Sequence, residues 1–172
     1  MRFDRPLLAL VVSATFIAEG SSFAQGWVSQ YPLPTGNDLF GVAVPDPQTS
    51  IAVGAFGTIV RTTNGGATWE RQASGTIVTL RGVSFVDTNT GIAAGERGTI
   101  LQTSDGGATW IPQVSGSSVS LRAVSFVDAN TATAVGDSGT ILNSTDGGVT
   151  WLPQVSGTTL TLEAVSLLDA NT

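Results

Sequence analysis

The stretch SDGGATW, from Ser104 to Trp110, recurs twice more in this chain of 172 residues. TNGGATW ends at Trp69 and TDGGVTW ends at Trp151, so each tryptophan lies 41 residues after the one before it. A motif that repeats at a constant period indicates an architectural element repeated in space. The recurrence therefore favours a structural fastening over a single catalytic or metal-binding loop.

The period of 41 residues extends well beyond this loop. GTIV at Gly57 returns as GTIL at Gly98 and Gly139, and LRGVSFVDTNT at Leu80 has counterparts elsewhere in the same register. These counterparts are LFGVAVPDPQT at Leu39, LRAVSFVDANT at Leu121 and LEAVSLLDANT at Leu162. The predicted repeats run from Trp27 to Thr68, from Trp69 to Thr109, from Trp110 to Thr150, and, incompletely, from Trp151 to Thr172.

Each repeat contains four short apolar runs separated by turn residues. LRGVSFV alternates with a period of two, as a half-buried strand does. GIAAG predicts a strand of small residues packed near an axis, and GTILQTS and TWIPQVS predict the third and fourth strands. DGG predicts a tight hairpin between these last two strands. Four strands in about 40 residues are typical of a β-propeller blade, so the sequence predicts an all-β fold.

The number of repeats predicts a partial propeller of about three and a half blades. The last repeat ends at Thr172, after one predicted strand of the next blade. Propellers usually have four to eight blades, and ring closure removes the open strand edges that promote aggregation. We therefore expect a fragment of a longer product, in preference to a chain that completes its ring by self-association.

Residues 1–24 have the pattern of an export signal. Arg2 and Arg5 precede an apolar run from Pro6 to Ala18, which is too short to span a bilayer. Small residues follow, and we expect cleavage after Ala24. A membrane anchor is disfavoured because Glu19 interrupts the apolar region. The expected mature protein, residues 25–172, is periplasmic or extracellular and has no stable membrane insertion.

The composition excludes several kinds of chemistry. The net charge is −6, and all seven basic residues are arginines. A protein with this negative net charge is not expected to bind nucleic acid. The absence of His and Cys excludes His-based catalytic triads and zinc sites of the usual ligands from this segment. We expect no cofactor, no metal and no catalytic residue.

The three tryptophan-containing loops fit the pattern of the Asp box found in bacterial neuraminidase repeats. In this pattern Ser or Thr, Asp or Asn, Gly, Thr and Trp occupy fixed positions. The matching residues are Thr62, Asn64, Gly66, Thr68 and Trp69 in the first copy, Thr103, Asp105, Gly107, Thr109 and Trp110 in the second, and Ser144, Asp146, Gly148, Thr150 and Trp151 in the third. A short carboxylate or amide accepts local N–H bonds, and the indole buries apolar surface under the turn.

The whole repeat resembles the photosystem II stability and assembly factor family. The resemblance rests on FVDxNT, AVGxxGTIL and STDGGxTW and covers Gln25 to Thr172. It implies an exported propeller, usually of seven blades, so that the present chain is roughly half a ring. Members from cyanobacteria and plastids are non-enzymatic chaperones that bind photosystem subunits through an arginine-bearing surface. For this chain the resemblance implies a protein partner, and photosystem subunits and the thylakoid lumen if the source is a phototroph.

Two sets of repeat positions vary while their neighbours do not. We expect these positions to form an exposed rim that recognises a partner. The first position holds Phe40, Arg81, Arg122 and Glu163. The second set is the turn pairs before GTI, which are Ala55 and Phe56, Glu96 and Arg97, and Asp137 and Ser138.

Two roles are possible for a set of acidic residues that recurs with the repeat. Asp46, Asp87, Asp128 and Asp169 recur in register and suit either turn capping, which we favour, or calcium binding.

Three functions follow from the sequence. We favour a non-catalytic protein-binding scaffold or assembly factor. The first alternative is a sialidase-like glycan-binding protein or glycoside hydrolase with its site in a missing C-terminal half. Such a hydrolase needs a tyrosine nucleophile, and the single tyrosine, Tyr31, lies just after the expected mature start and has no counterpart in the later repeats. The second alternative is a structural module of a larger surface protein.

Overall fold

The computed structural model describes residues 34–167. The predicted signal peptide, Trp27, Tyr31 and Asp169 lie outside the described residues. Within the described range no helix is long and apolar enough to cross a membrane.

Residues 34–167 contain twelve short strands, arranged in three four-stranded antiparallel sheets. Each sheet follows chain order, so neighbouring strands are joined by hairpins. Blade 1 consists of β1 (Leu39–Ala43), β2 (Ser50–Gly54), β3 (Ile59–Thr62) and β4 (Glu70–Gln72). Blade 2 consists of β5 (Leu80–Phe85), β6 (Gly91–Gly95), β7 (Ile100–Thr103) and β8 (Ile111–Gln113). Blade 3 consists of β9 (Leu121–Phe126), β10 (Ala132–Gly136), β11 (Ile141–Ser144) and β12 (Leu152–Gln154).

This architecture confirms the predicted all-β fold and the partial propeller of four-stranded blades. A three-residue 3₁₀ turn joins the second and third strands of every blade, at Ala55–Gly57, Glu96–Gly98 and Asp137–Gly139.

The innermost strand of each blade is the first one. The strands β1, β5 and β9 lie against one another across consecutive blades. A Cβ atom at Gly41 would lie 3.0 Å from the backbone carbonyl oxygen of Arg81, and one at Gly82 would lie 3.1 Å from the Cα of Ala123. Small side chains are therefore required here. The segment GIAAG, predicted to pack near an axis, is the second strand, β6; it lies next to the innermost strand and is buried along its whole length.

The hydrophobic core lies between the blades. One cluster joins blades 1 and 2, and a second joins blades 2 and 3. The first contains Ile51, Val53, Ile59, Leu80, Ala93, Leu101 and Trp110. The second contains Ile92, Ala94, Ile100, Leu121, Val124, Phe126, Ala132, Ala134, Leu142 and Trp151. Each of these two tryptophans thus packs with residues of the preceding blade.

The outer strand of each blade is poorly suited to pairing with a further strand. The strands β4, β8 and β12 have three residues each, and Pro112 and Pro153 occupy the middle positions of the last two. Proline has no N–H to donate, so it suits an edge strand and discourages the addition of another chain.

The predicted first strand of a further blade forms no sheet within the described residues. Residues 161–167 contact blade 3, where Leu162 N donates to Gly136 O at 3.0 Å and Leu167 N donates to Ser125 Oγ at 3.3 Å. Phe126 N donates to Ser84 Oγ in the same way, at 3.2 Å. The segment therefore contacts blade 3 as β9 contacts blade 2, but a sheet also needs a second strand, and none pairs with it in this range.

Candidate functional site

The three tryptophan loops, residues 62–69, 103–110 and 144–151, connect the third and fourth strands of each blade. In the second loop the Thr103 hydroxyl donates to Asp105 Oδ1 at 2.9 Å and accepts a bond from Gly107 N at 2.9 Å. Asp105 also accepts bonds from the backbone N–H of Thr109 at 2.9 Å and from its hydroxyl at 2.6 Å. Each of these bonds joins residues no more than four positions apart. The bonding pattern of the loop is therefore encoded in local sequence.

The first loop forms the same network without a negative charge. Asn64 Oδ1 accepts bonds from the Thr62 hydroxyl and from Thr68 N, both at 2.9 Å. Its Nδ2 donates to the Thr68 hydroxyl at 2.8 Å. An amide thus replaces the carboxylate in this loop. Across residues 34–167, no three acidic side chains lie close enough together to hold a metal ion. The network acts as a structural fastening.

Each loop is longer than the tight hairpin that the sequence predicts. Residues 104–110 separate β7 from β8, and the positive φ angles belong to Gly106 (70°) and Gly107 (86°), whereas Asp105 is not among the left-handed residues. A Cβ atom at Gly107 would lie 3.2 Å from the Ile51 side chain in the preceding blade. The longer loop allows Asp105 to accept its local bonds while Gly107 closely approaches the sheet of the preceding blade.

The indoles complete the fastening. Trp110 is buried, and its Nε1 donates to Gly107 O at 3.1 Å; Trp151 Nε1 donates to Gly148 O at 2.9 Å. The edge of Phe85 meets Trp110 with ring centroids 6.1 Å apart and an interplanar angle of 88°. Trp69 is only half-buried, and its Nε1 has no hydrogen-bond partner among the described residues.

A side-chain bond between blades was missed by sequence reasoning. Arg61 Nε donates to Gly106 O at 2.8 Å, and Gln102 Nε2 donates to Gly147 O at 2.7 Å. Each donor lies on the third strand of one blade and reaches the tryptophan loop of the next. The available signal was a long polar side chain recurring after 41 residues inside an otherwise apolar strand.

Acid should destabilise the second and third loops more than the first. Hydrogen bonds from the Thr109 side chain to Asp105, and from the Thr150 side chain to Asp146, lower both carboxyl pKa values from 3.8 to about 2. A pKa depressed in the folded state contributes stability above the unfolded pKa and loses it as the pH falls through the folded pKa. We expect the Tm to fall between pH 4 and pH 2, and to fall less steeply in a D105N/D146N variant.

The chain supplies the matched control for this experiment. Asn64→Asp introduces a carboxylate into the loop that naturally lacks one, so its Tm should fall more steeply with acid than that of the unchanged protein. Thermal unfolding followed by circular dichroism measures all three proteins. Parallel Tm profiles would contradict a role for these carboxylates in acid sensitivity.

The variable rim positions come together in the structure. Arg81 Nη2 lies 2.6 Å from Glu96 Oε1, and the Arg81 guanidinium lies 5.4 Å from the ring centroid of Phe40 in the preceding blade. A cation over an aromatic face is attracted by the ring quadrupole. Arg97, next to Glu96, is exposed at the tip of its turn and has a left-handed φ of 56°.

The same arrangement continues in the next blade. Arg122 Nε lies 2.8 Å from Asp137 Oδ1, and Arg122 Nη1 lies 3.9 Å from Glu163 Oε2. Their hydrogen bond raises the pKa of Arg122 and lowers that of Asp137. The negative charge of Glu96 further raises the pKa of Arg122, so the two clusters interact. We call this combined surface the charged face: Phe40, Arg81, Glu96, Arg97, Arg122, Asp137 and Glu163.

The repeated aspartates cap turns. Asp87 Oδ1 accepts bonds from Asn89 N at 2.7 Å and Thr90 N at 2.6 Å. Asp128 makes the corresponding bonds, and Asp46 bonds to Gln48 N and Thr49 N. The bonds from the backbone N–H groups lower the pKa of Asp87. Turn capping therefore accounts for these three carboxylates.

The chain matches the model of one protein family. The family model of the photosynthesis system II assembly factor YCF48 matches residues 21–110 and 73–159, which together cover most of the chain. No curated protein sequence matches the chain.

Two solved YCF48 structures resemble the chain. YCF48 bound to D1 peptide has 26% sequence identity and a TM-score of 0.62 over 72% of this chain and 43% of its own. YCF48 from Cyanidioschyzon merolae has 28% identity and a TM-score of 0.64 over 76% of this chain and 44% of its own. The chain thus spans less than half the length of either structure.

A glycoside hydrolase shares the fold. The GH74 enzyme of Niastella koreensis has 19% identity and a TM-score of 0.58, over 78% of this chain and 20% of its own. At this identity the similarity concerns the fold alone.

Proposed function

Because this chain belongs to the family of the photosynthesis system II assembly factor YCF48, we propose that it is an exported, non-catalytic propeller that binds a protein partner. The rigid blades present variable side chains at fixed positions, and variable positions on a rigid scaffold are where binding function concentrates. The tryptophan loops, which we assign to the Asp-box class, hold the scaffold together.

The charged face is the observation that carries this proposal. It places Phe40, Arg81 and Arg122 on adjacent blades, at a repeat position where side-chain character changes from blade to blade. Arginine and aromatic side chains are enriched at protein interfaces because they combine apolar contact area with directional hydrogen bonds. Their acidic partners, Glu96 and Asp137, hold the guanidinium groups in place before a partner arrives.

The absence of catalysis is part of the proposal. The chain has no His or Cys, and the acidic side chains of the charged face are engaged by arginines. The alternative, a glycan-binding protein or glycoside hydrolase, has only the shared propeller fold to support it, and a fold by itself does not assign a function.

Site-specific crosslinking tests the proposed surface. A photo-crosslinking amino acid at Arg97, or at Phe40, should capture the same protein in the producing cell, identified by mass spectrometry. Val155 is exposed on the linker after the outermost strand of blade 3 and gives the control position. Adding R81E/R122E should abolish the crosslink at Arg97, since charge reversal opposes partner recognition.

Two results would count against this function. Equal crosslinking from Val155 would show that capture is unspecific. Hydrolysis of a glycoside substrate panel by the purified protein, lost on alanine substitution of an acidic residue, would replace the scaffold with the enzymatic alternative.

A further inference from the structure

Blade 1 carries an open groove that is separate from the charged face. The groove has a volume of about 530 Å³ and lies between the turn Ala55–Gly57 and the linker that follows β4. We call it the blade 1 groove. Its lining residues include Phe56, Gly57, Arg71, Ser74, Thr76 and Ile77. The corresponding linker of blade 3, at residues 155–159, borders an open groove of about 490 Å³, so the size of the groove belongs to the repeat and its specificity depends on its side chains.

The walls of the blade 1 groove are fixed by close backbone packing. A Cβ atom at Gly57 would lie 2.1 Å from the carbonyl oxygen of Thr76, so the turn and the linker touch directly. Ser74 Oγ donates to Thr76 O at 3.1 Å, and Val78 N donates to Thr76 Oγ1 at 3.2 Å. A groove held in this way is largely pre-formed, which lowers the ordering cost of binding.

Two apolar side chains flank the groove and are exposed to solvent. Phe56 is 68% exposed and Ile77 is 84% exposed. Phe56 also has a φ of 55°, in the left-handed region that a bulky residue rarely adopts. Arg97 and Ser138 have the same left-handed φ in the corresponding turns, so this backbone conformation belongs to the repeat. The exposed apolar surface of Phe56 and Ile77 is what points to a recognition role.

The apolar pair is unique to blade 1 among the described blades. The corresponding residues are Arg97 and Ser118 in blade 2, and Ser138 and Thr159 in blade 3. The same turn therefore forms with polar residues at both positions. The fold does not require the phenylalanine and the isoleucine.

Arg71 gives the groove its charge. It is the only charged residue in the lining, and within residues 34–167 it forms no salt bridge. Proline occupies the corresponding position in blades 2 and 3, at Pro112 and Pro153. The groove thus combines two apolar contacts with one available guanidinium, which suits a carboxylate through charge-assisted hydrogen bonds.

We propose that the blade 1 groove binds an extended segment of a partner protein in which an apolar side chain is followed by Asp or Glu. The apolar side chain packs between Phe56 and Ile77, and the carboxylate pairs with Arg71. This inference rests on the proposed protein-binding function but uses none of the residues of the charged face. The turn that carries Phe56 contacts β5, so the groove borders that face and one partner can occupy both.

An NMR titration with short peptides tests the groove on the full chain. The probe is a Leu-Glu pair in a Gly-Ser context, compared with Leu-Gln and Ser-Glu peptides. The Leu-Glu peptide should shift the amide signals of Phe56 and residues 71–77. The corresponding linker of blade 3, residues 153–159, is the internal control and should not shift.

Variants taken from the chain's own repeats separate binding from folding. F56S/I77T introduces the blade 3 residues at both positions and should weaken Leu-Glu binding about tenfold, the factor that 1.4 kcal/mol represents. R71Q should remove the preference for Leu-Glu over Leu-Gln. Val114 is as exposed as Ile77, so V114T is the matched control and should leave the affinity unchanged.

The outcomes distinguish this site from the charged face. R81E/R122E should leave the peptide titration unchanged even if it abolishes crosslinking at Arg97. Equal shifts in both linkers, no shift at millimolar peptide, self-association through the groove, or a preference for glycan oligosaccharides over peptides would each overturn the proposal.

Discussion

A single methyl group added at Gly98 should lower the free energy of unfolding by about 4 kcal/mol or more, among the largest effects of point substitutions. Gly98 has a φ of 67°, and a Cβ atom there would lie 2.0 Å from the carbonyl oxygen of Ser117. It would also lie 2.9 Å from Ser115 Oγ. The nearest obstacle is backbone, which cannot rotate away, so G98A must separate the turn from the linker.

Gly116 is the matched control because it has the same backbone conformation without the close contact. Its φ is 70°, and a Cβ atom there would have no neighbour within 4 Å. G116A should therefore lose only about 1–2 kcal/mol, the cost of a left-handed alanine. Urea unfolding followed by tryptophan fluorescence compares the two variants. Equal losses would mean that backbone conformation, and not close approach, decides the effect at Gly98.

Replacing Trp110 by alanine should lower the free energy of unfolding by about 3–5 kcal/mol, as is usual for a buried tryptophan. Trp110 is 7% exposed and packs in the core between blades 1 and 2, with Phe85 against its ring. Its removal leaves a cavity at the interface of two blades. Because repeat proteins depend on contacts between neighbouring units, the unfolding transition should also become less cooperative.

The adjacent residue provides the control for this substitution. Ile111 is 58% exposed on an outer strand, so I111A should lower the free energy of unfolding by less than about 1 kcal/mol. Trp110→Phe should be intermediate, since it keeps apolar volume but loses the bond to Gly107 O. A W110A protein as stable as I111A would contradict the fastening role of the indole.

Much of the blade could be predicted from sequence because its determinants are local. The alternation of LRGVSF, the Asx turn at Asp87 and the bonds between Asp105 and Thr109 all involve residues within four positions of each other. The seven-residue loop was predicted too short because Asp-Gly also suits a tight turn. The choice between the two depends on the bonds of the loop and on its contact with the preceding sheet.

The residues of the charged face were selected from the sequence, but their arrangement in space was not predicted. Arg81 and Arg122 were selected because their repeat position varies, but their pairing with Glu96 and Asp137 joins residues 15 positions apart. The blade 1 groove was missed. The turn pair that contains Phe56 was selected as variable, but its approach to Ile77 depends on the contact between the turn and the linker.

The sequence alone determined the all-β repeat, its period of 41 residues and the residues of each tryptophan loop. It could do so because the hydrogen bonds of the loop and the alternation of the strands involve residues close together in the chain. The tertiary structure decided which blade each loop contacts. Arg61 reaches Gly106 and Trp110 packs with Ile51 only when consecutive sheets stack. These contacts join residues more than 40 positions apart, and the distance between such residues is set by the packing of sheets.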